Sequence, residues 1–89
     1  MIESYFLYKN LPSIDLHGCD RVEALIKVKE FINDSYKLGV PLVSVVHGKG
    51  AYILKDDIHK YLKSSKLVVA YKIDIYNAGT TIIEIIKRN

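Results

Sequence analysis

Ile14 and Leu16 alternate with Asp15 and His17, and a period of two is that of a strand with one apolar and one polar face. The segment before it, Tyr5 to Leu11, is apolar and aromatic, but Pro12 closes it, so it reads as an extended arm or edge rather than a central strand. Asp20 and Glu23 form an acidic capping box ahead of a run in which Leu25, Val28, Ile32 and Tyr36 recur at helical spacing, and Gly39 with Pro41 ends that helix. Leu42 to Val46 is the apolar, β-branched type of run that a sheet buries, and it leads directly into His47-Gly48-Lys49-Gly50. Leu54, Ile58, Tyr61 and Leu62 then mark one face of a second helix, with Lys55, Asp56, Asp57, Lys60 and Lys63 around the rest. Alternation returns from Leu67 to Tyr76, and Asn77-Ala78-Gly79 predicts the turn of a hairpin whose last strand runs from Thr81 to Lys87.

The order strand, helix, strand, helix, strand, strand makes two right-handed crossovers and one antiparallel return. It predicts a two-layer α/β fold, β-α-β-α-β-β, with a four-stranded mixed sheet and two helices on one face. The other face stays partly open, because Lys72, Asp74 and Glu84 need water. Residues 12–89 form a single domain after an arm at 1–11, since 89 residues leave no room for two stable cores.

Composition narrows the class of protein. Hydrophobic residues at 49% and charged residues at 26% describe a folded globular chain, not a disordered tail. A net charge of +3 suits a polyanionic partner without requiring one. Cys19, the single cysteine, can form neither an internal disulfide nor a thiolate metal site, so a reducing, cytoplasmic location is expected. No window approaches the roughly 18 apolar residues of a membrane span, and none is expected.

Two elements carry candidate chemistry. Asp15 and His17, two apart on a strand, are expected to share a face at its carboxyl end, where a carboxylate can orient an imidazole and raise its basicity for acid-base work. A solvated polar pair ending a strand is the plainer alternative. The second element, His47-Gly48-Lys49-Gly50, lies between a strand and a helix. Its glycines allow positive φ and close backbone approach, its N–H groups and the helix start favour an anion, and Lys49 adds charge. The spacing is not that of a Walker loop, and an ordinary strand-to-helix turn remains open. Both elements fall at the carboxyl ends of strands that a right-handed crossover makes parallel, where open α/β sheets place ligands, and together they suit phosphodiester chemistry. Lys55 follows closely enough to reach a phosphate.

Plainer readings apply to three other features. Cys19 is more readily a small buried hydrophobe than a nucleophile. A zinc site from His17, His47 and His59 is conceivable, but His59, mid-helix, counts as a surface residue. Tyr36, Tyr61 and Tyr71 are in phase with apolar faces and are assigned to the core or its rim rather than to base stacking.

Pro12-Ser13-Ile14-Asp15-Leu16-His17-Gly18 resembles the Leu-Asp-Leu-His-Gly signature of small MutS-related (Smr) domains, and Glu23-Ala24 fits the first helix of that family. Val46-His47-Gly48-Lys49-Gly50 resembles its second signature, a His- or Thr-Gly-x-Gly loop. The resemblance runs from Leu11 to Ile86 and implies a stand-alone Smr-like fold, similar to the C-terminal domain of translation initiation factor three. Tyr76-Asn77-Ala78-Gly79-Thr80-Thr81 departs from the Gly-Gly-x-Gly-Ala-Thr common in the family, so that Tyr76 and Asn77 narrow a bordering groove or offer a stacking surface.

The resemblance implies an endonuclease, nicking DNA or cutting RNA, with Asp15 and His17 as the matching functional residues. A mechanism follows in which His17, oriented by Asp15, takes a proton and His47 protonates the leaving oxygen. Gly48, Lys49, Gly50 and Lys55 hold the phosphate. No cofactor and no metal are expected, as one Asp and two His leave few ligands for a Mg²⁺ cage. The expected partner is nucleic acid, within a ribosome or repair assembly or outside one. A non-catalytic nucleic-acid- or ribosome-binding module is the main alternative, and a protein-interaction domain the third.

Overall fold

The computed structural model describes residues 11–88. The expected arm therefore lies, apart from Leu11, outside the described residues. The elements follow in the order β1 (Ser13–Asp15), α1 (Arg21–Lys37), β2 (Leu42–Val46), α2 (Tyr52–Ser64), β3 (Val68–Asp74) and β4 (Asn77–Ile85). They build a mixed sheet in the order β1-β2-β4-β3, in which β1 and β2 are parallel and β4 runs antiparallel to both β2 and β3.

Helix α1 starts where its capping box predicts. The Asp20 carboxylate accepts the Glu23 N–H at 2.8 Å while the Glu23 carboxylate accepts the Asp20 N–H at 3.4 Å, so that two of the unpaired donors at the helix start are satisfied reciprocally. Helix α2 starts differently, with Ala51 at the cap position and no side chain bonded to its first turn.

Alternation in the strands decides where the core sits. Val43 and Val45 lie opposite Ile83 and Thr81 across the β2–β4 ladder and, with Ile85 and Leu16, meet Ala24, Val28 and Ile32 of α1 and Ile58 and Leu62 of α2. Those residues are almost wholly removed from water, each aliphatic one gaining roughly 1.5–3 kcal/mol by transfer if Val-sized or larger. On the opposite face Leu42 and Ile82 form a smaller cluster with Leu11 and Ala70. The helices are tied together at the surface by Arg21, whose guanidinium donates to both carboxylate oxygens of Asp57 at 2.7 and 3.0 Å, and this pairing raises the Arg21 pKa and lowers that of Asp57.

One sequence expectation is corrected. The hairpin turn is Ile75-Tyr76, not Asn77-Ala78-Gly79, which belongs to β4. The Asp74 carboxylate accepts the N–H of Tyr76 at 2.8 Å and closes the shorter turn. Gly79 is a strand residue, and glycine suits it because another stretch of backbone, Gly48-Lys49, comes against it, a common reason for glycine within a strand.

Candidate functional site

The parallel pairing of β1 with β2 sets Asp15 opposite Val46, and the N–H of Leu16 extends it by donating to the Val46 carbonyl at 2.9 Å. The segments after both strands therefore emerge side by side. After β1 the chain turns at once: the N–H of Cys19 donates to the Leu16 carbonyl at 3.0 Å, with His17 and Gly18 at the centre of the turn. Both central residues are exposed. Asp15 and His17 do not share a strand face as expected, because the strand ends at Asp15. The Asp15 carboxylate instead accepts the main-chain N–H of His17 at 2.9 Å, so it fixes the turn that presents the imidazole.

After β2 the His47–Gly50 loop is clipped to β4. The Gly79 carbonyl accepts the N–H groups of both His47 and Gly48 at 2.9 Å. Gly48 has φ +101, a conformation side chains with a Cβ rarely adopt, and the N–H it was expected to offer an anion is held by Gly79. Gly50 has no positive φ, so the strain argument applies to Gly48 alone. Lys49 and Gly50 are exposed and Lys55 half-buried. A cleft of about 560 Å³ is lined by Cys19, Asp20 and Arg21 from one side and by Gly50, Ala51 and Tyr52 from the other, so it lies between the starts of the two helices, and of the expected site residues only Gly50 lines it.

His47 is not an open imidazole. It is 5% exposed and both ring nitrogens are engaged: Nδ1 lies 3.2 Å from the Gly48 carbonyl and Nε2 lies 2.8 Å from Oγ1 of Thr81. Oγ1 of Thr81 also lies 2.8 Å from Nε2 of His59, whose ring stands edge-on to Tyr71 with centroids 4.9 Å apart. With neutral rings these contacts admit one proton arrangement. A carbonyl can only accept, so His47 carries its proton on Nδ1; Thr81 then donates to His47 Nε2 and accepts from His59 Nε2–H. Burial lowers the pKa of both histidines. Lys55 adds to the lowering in each case, and His47 does so for His59, while the Gly48 carbonyl (for His47) and Asp56 (for His59) oppose it.

His59 is thus half-buried in a network and not the surface residue the helical pattern predicted. It lies one residue beyond Ile58, and the i, i+4 pattern of α2 gave it no apolar neighbour to signal burial. Thr81 gave no signal either, as a threonine in a β-branched strand needs no further explanation. Among the described residues no three His, Cys, Asp or Glu side chains gather as a metal-binding group, and no helix is long and apolar enough to cross a membrane.

A two-layer α/β domain with paired glycine turns at the ends of adjacent parallel strands defines the class. The Smr domain model matches residues 14–85, and the chain belongs to that family. It is 35% identical over 80 residues to the endonuclease MutS2 of Caldanaerobacter subterraneus subsp. tengcongensis, a match covering 86% of this chain and 10% of that protein. The endonuclease MutS2 of Clostridium kluyveri is 37% identical over 75 residues, covering 84% of this chain and 10% of the relative. The chain spans about a tenth of the length of these curated relatives. The crystal structure of the Smr domain of Thermus thermophilus MutS2 superimposes with a TM-score of 0.82 at 25% identity, over 85% of this chain and 99% of that one. YdaL, a stand-alone small MutS-related protein from Escherichia coli, shares the fold with a TM-score of 0.82 at 22% identity, over 93% of this chain and 71% of that one.

Proposed function

We propose that this domain binds RNA at the end of the sheet bearing the two glycine turns and cleaves it, with His17 as general base. The observation that carries this reading is the β1–β2 pairing, which makes the exposed His17-Gly18 turn and the Lys49-Gly50 segment follow adjacent parallel strands at one end of the sheet. Membership of the Smr family and similarity to proteins named endonuclease MutS2 support the reaction class. Nucleic acid is the partner, and the cytoplasm, where the free thiol of Cys19 stays reduced, the compartment.

In this mechanism the His17 imidazole takes the proton of a ribose 2′-hydroxyl, and the 2′-oxygen attacks the adjacent phosphorus. The bond to the 5′-oxygen breaks, and solvent supplies that oxygen with a proton. A 2′,3′-cyclic phosphate and a 5′-hydroxyl remain. Lys49, with Lys55 behind it, stabilises charge on the phosphate. Asp15 holds the His17 turn. His47 has both ring nitrogens occupied, so we assign it to holding the loop in place of the leaving-group role its position in the sequence suggested.

Incubation of RNA and DNA with the protein in EDTA tests the reaction. RNA is expected to be cut to cyclic phosphate ends, and a single deoxynucleotide 5′ of the scissile phosphate to block cutting. Efficient cleavage of that substrate would overturn the mechanism. The engagement of His47 also favours a second reading, a module that holds nucleic acid on a ribosome or repair assembly without cutting it. Salt-sensitive binding with no cleavage of either polymer would select it.

A further inference from the structure

Tyr36, Tyr61 and Tyr71 are half-buried, whereas Tyr52 and Tyr76 are 67% and 77% exposed. Each exposed tyrosine is paired with an exposed neighbour, Ile53 at 64% and Ile75 at 72%, so four large apolar side chains are in water at one end of the molecule. That end is the one with the glycine loop. Tyr52 opens α2 immediately after the loop, and Tyr76 is the hairpin turn residue three positions before Gly79, whose carbonyl holds His47 and Gly48. At about 3.3 Å per residue along a strand, Tyr76 lies within roughly 10 Å of that clip.

Charge at this end suits an anion. Lys49 is exposed in the loop, and Nζ of Lys55 stands over the Tyr52 ring, 5.5 Å from its centroid, while the ring keeps most of its surface in water. The carboxylates of Asp15, Asp20, Asp57 and Asp74 are each bonded to N–H groups of the protein. Two exposed rings at the end of the sheet that carries Lys49 and Lys55 match a chain of phosphates with unstacked bases. A duplex keeps its bases stacked and offers such rings nothing to cover.

Resting on the nucleic-acid reading above, we infer that Tyr52 and Tyr76 are stacking platforms for unpaired bases, so that the strand taken at this loop is single-stranded. Anisotropy titrations of the full chain with a short labelled RNA test it, using the same strand with abasic positions, its duplex, and the variants Tyr52→Ala, Tyr52→Phe, Tyr76→Ala and Tyr76→Phe. Stacking contributes about 1–3 kcal/mol per base, so each alanine variant should bind the single strand roughly 5- to 150-fold more weakly. Each phenylalanine variant should keep the wild-type affinity, and the abasic strand should bind all proteins alike.

Alanine variants that bind the single strand like wild type, or a duplex that binds as tightly as the single strand, would overturn the inference and leave the nucleic-acid reading standing. Wild-type protein that binds no polymer would overturn that reading itself. Tyrosine-dependent self-association in gel filtration, with RNA affinity unchanged by the variants, would reassign the patch to a contact between copies. Melting curves check that the variants fold, as expected for side chains so exposed.

Discussion

The carbonyl of Gly79 accepts the N–H of Gly48 at 2.9 Å, and a Cβ built on Gly79 would lie 2.9 Å from the Lys49 nitrogen and 3.0 Å from the Gly48 carbonyl carbon. The atoms in its way are backbone and have no rotamer to move into. Gly79→Ala should therefore push the loop off β4 and destabilise the fold by about 1–3 kcal/mol, the usual cost of overpacking. Denaturant unfolding measures this. Wild-type stability in the variant would show that the loop yields easily.

Gly48 and Gly50 should separate cleanly although they stand two residues apart. Gly48→Ala puts a Cβ on a backbone at φ +101 and should cost about 1–3 kcal/mol, whereas Gly50→Ala meets nothing within 4 Å and should change stability by less than about 0.5 kcal/mol. Equal losses in the two variants would contradict the backbone argument.

His47 and His59 predict acid sensitivity. Both folded-state pKa values lie below the ordinary 6.5, so as pH falls the unfolded chain takes up protons before the folded one does. Stability should be constant just above that value and decline below it through the lowered folded values of the histidines, with any later loss in stronger acid coming from the Asp57 carboxylate paired with Arg21. Thr81→Val should cost about 1–3 kcal/mol at neutral pH, by leaving two ring nitrogens without their partner. Unfolding measured across the pH range checks both, and a stability that rises on acidification would contradict the assignment.

Lys49 should act on binding and cutting together, because its charge meets the phosphate before and during reaction. Lys49→Ala is expected to weaken binding of all sequences and to reduce the salt slope by about one counterion. An unchanged slope would remove Lys49 from the phosphate contact.

The capping box, the two amphipathic helices and the alternation of β1 were legible in the sequence because each is a local pattern with a fixed period or spacing. So was the adjacency of the two glycine turns, since a strand–helix–strand unit makes its strands parallel. What was not legible depends on atoms far apart in the chain. Gly79 reads as a turn residue until Gly48 and Lys49 are seen against it, and the Ile75-Tyr76 turn has neither glycine nor proline, only Asp74 ahead of it, to mark it. Thr81 meets His47 and His59 from 34 and 22 positions away, distances at which no local pattern operates.

The central claim is that His17 is the base of an RNA-cleaving site, and a direct test sets wild type beside His17→Ala on one labelled RNA, with affinity and rate measured separately. The account predicts unchanged affinity and a rate lower by about 10²–10⁴-fold, the usual share of a general base. Equal rates in the two proteins, or a loss confined to affinity, would contradict it.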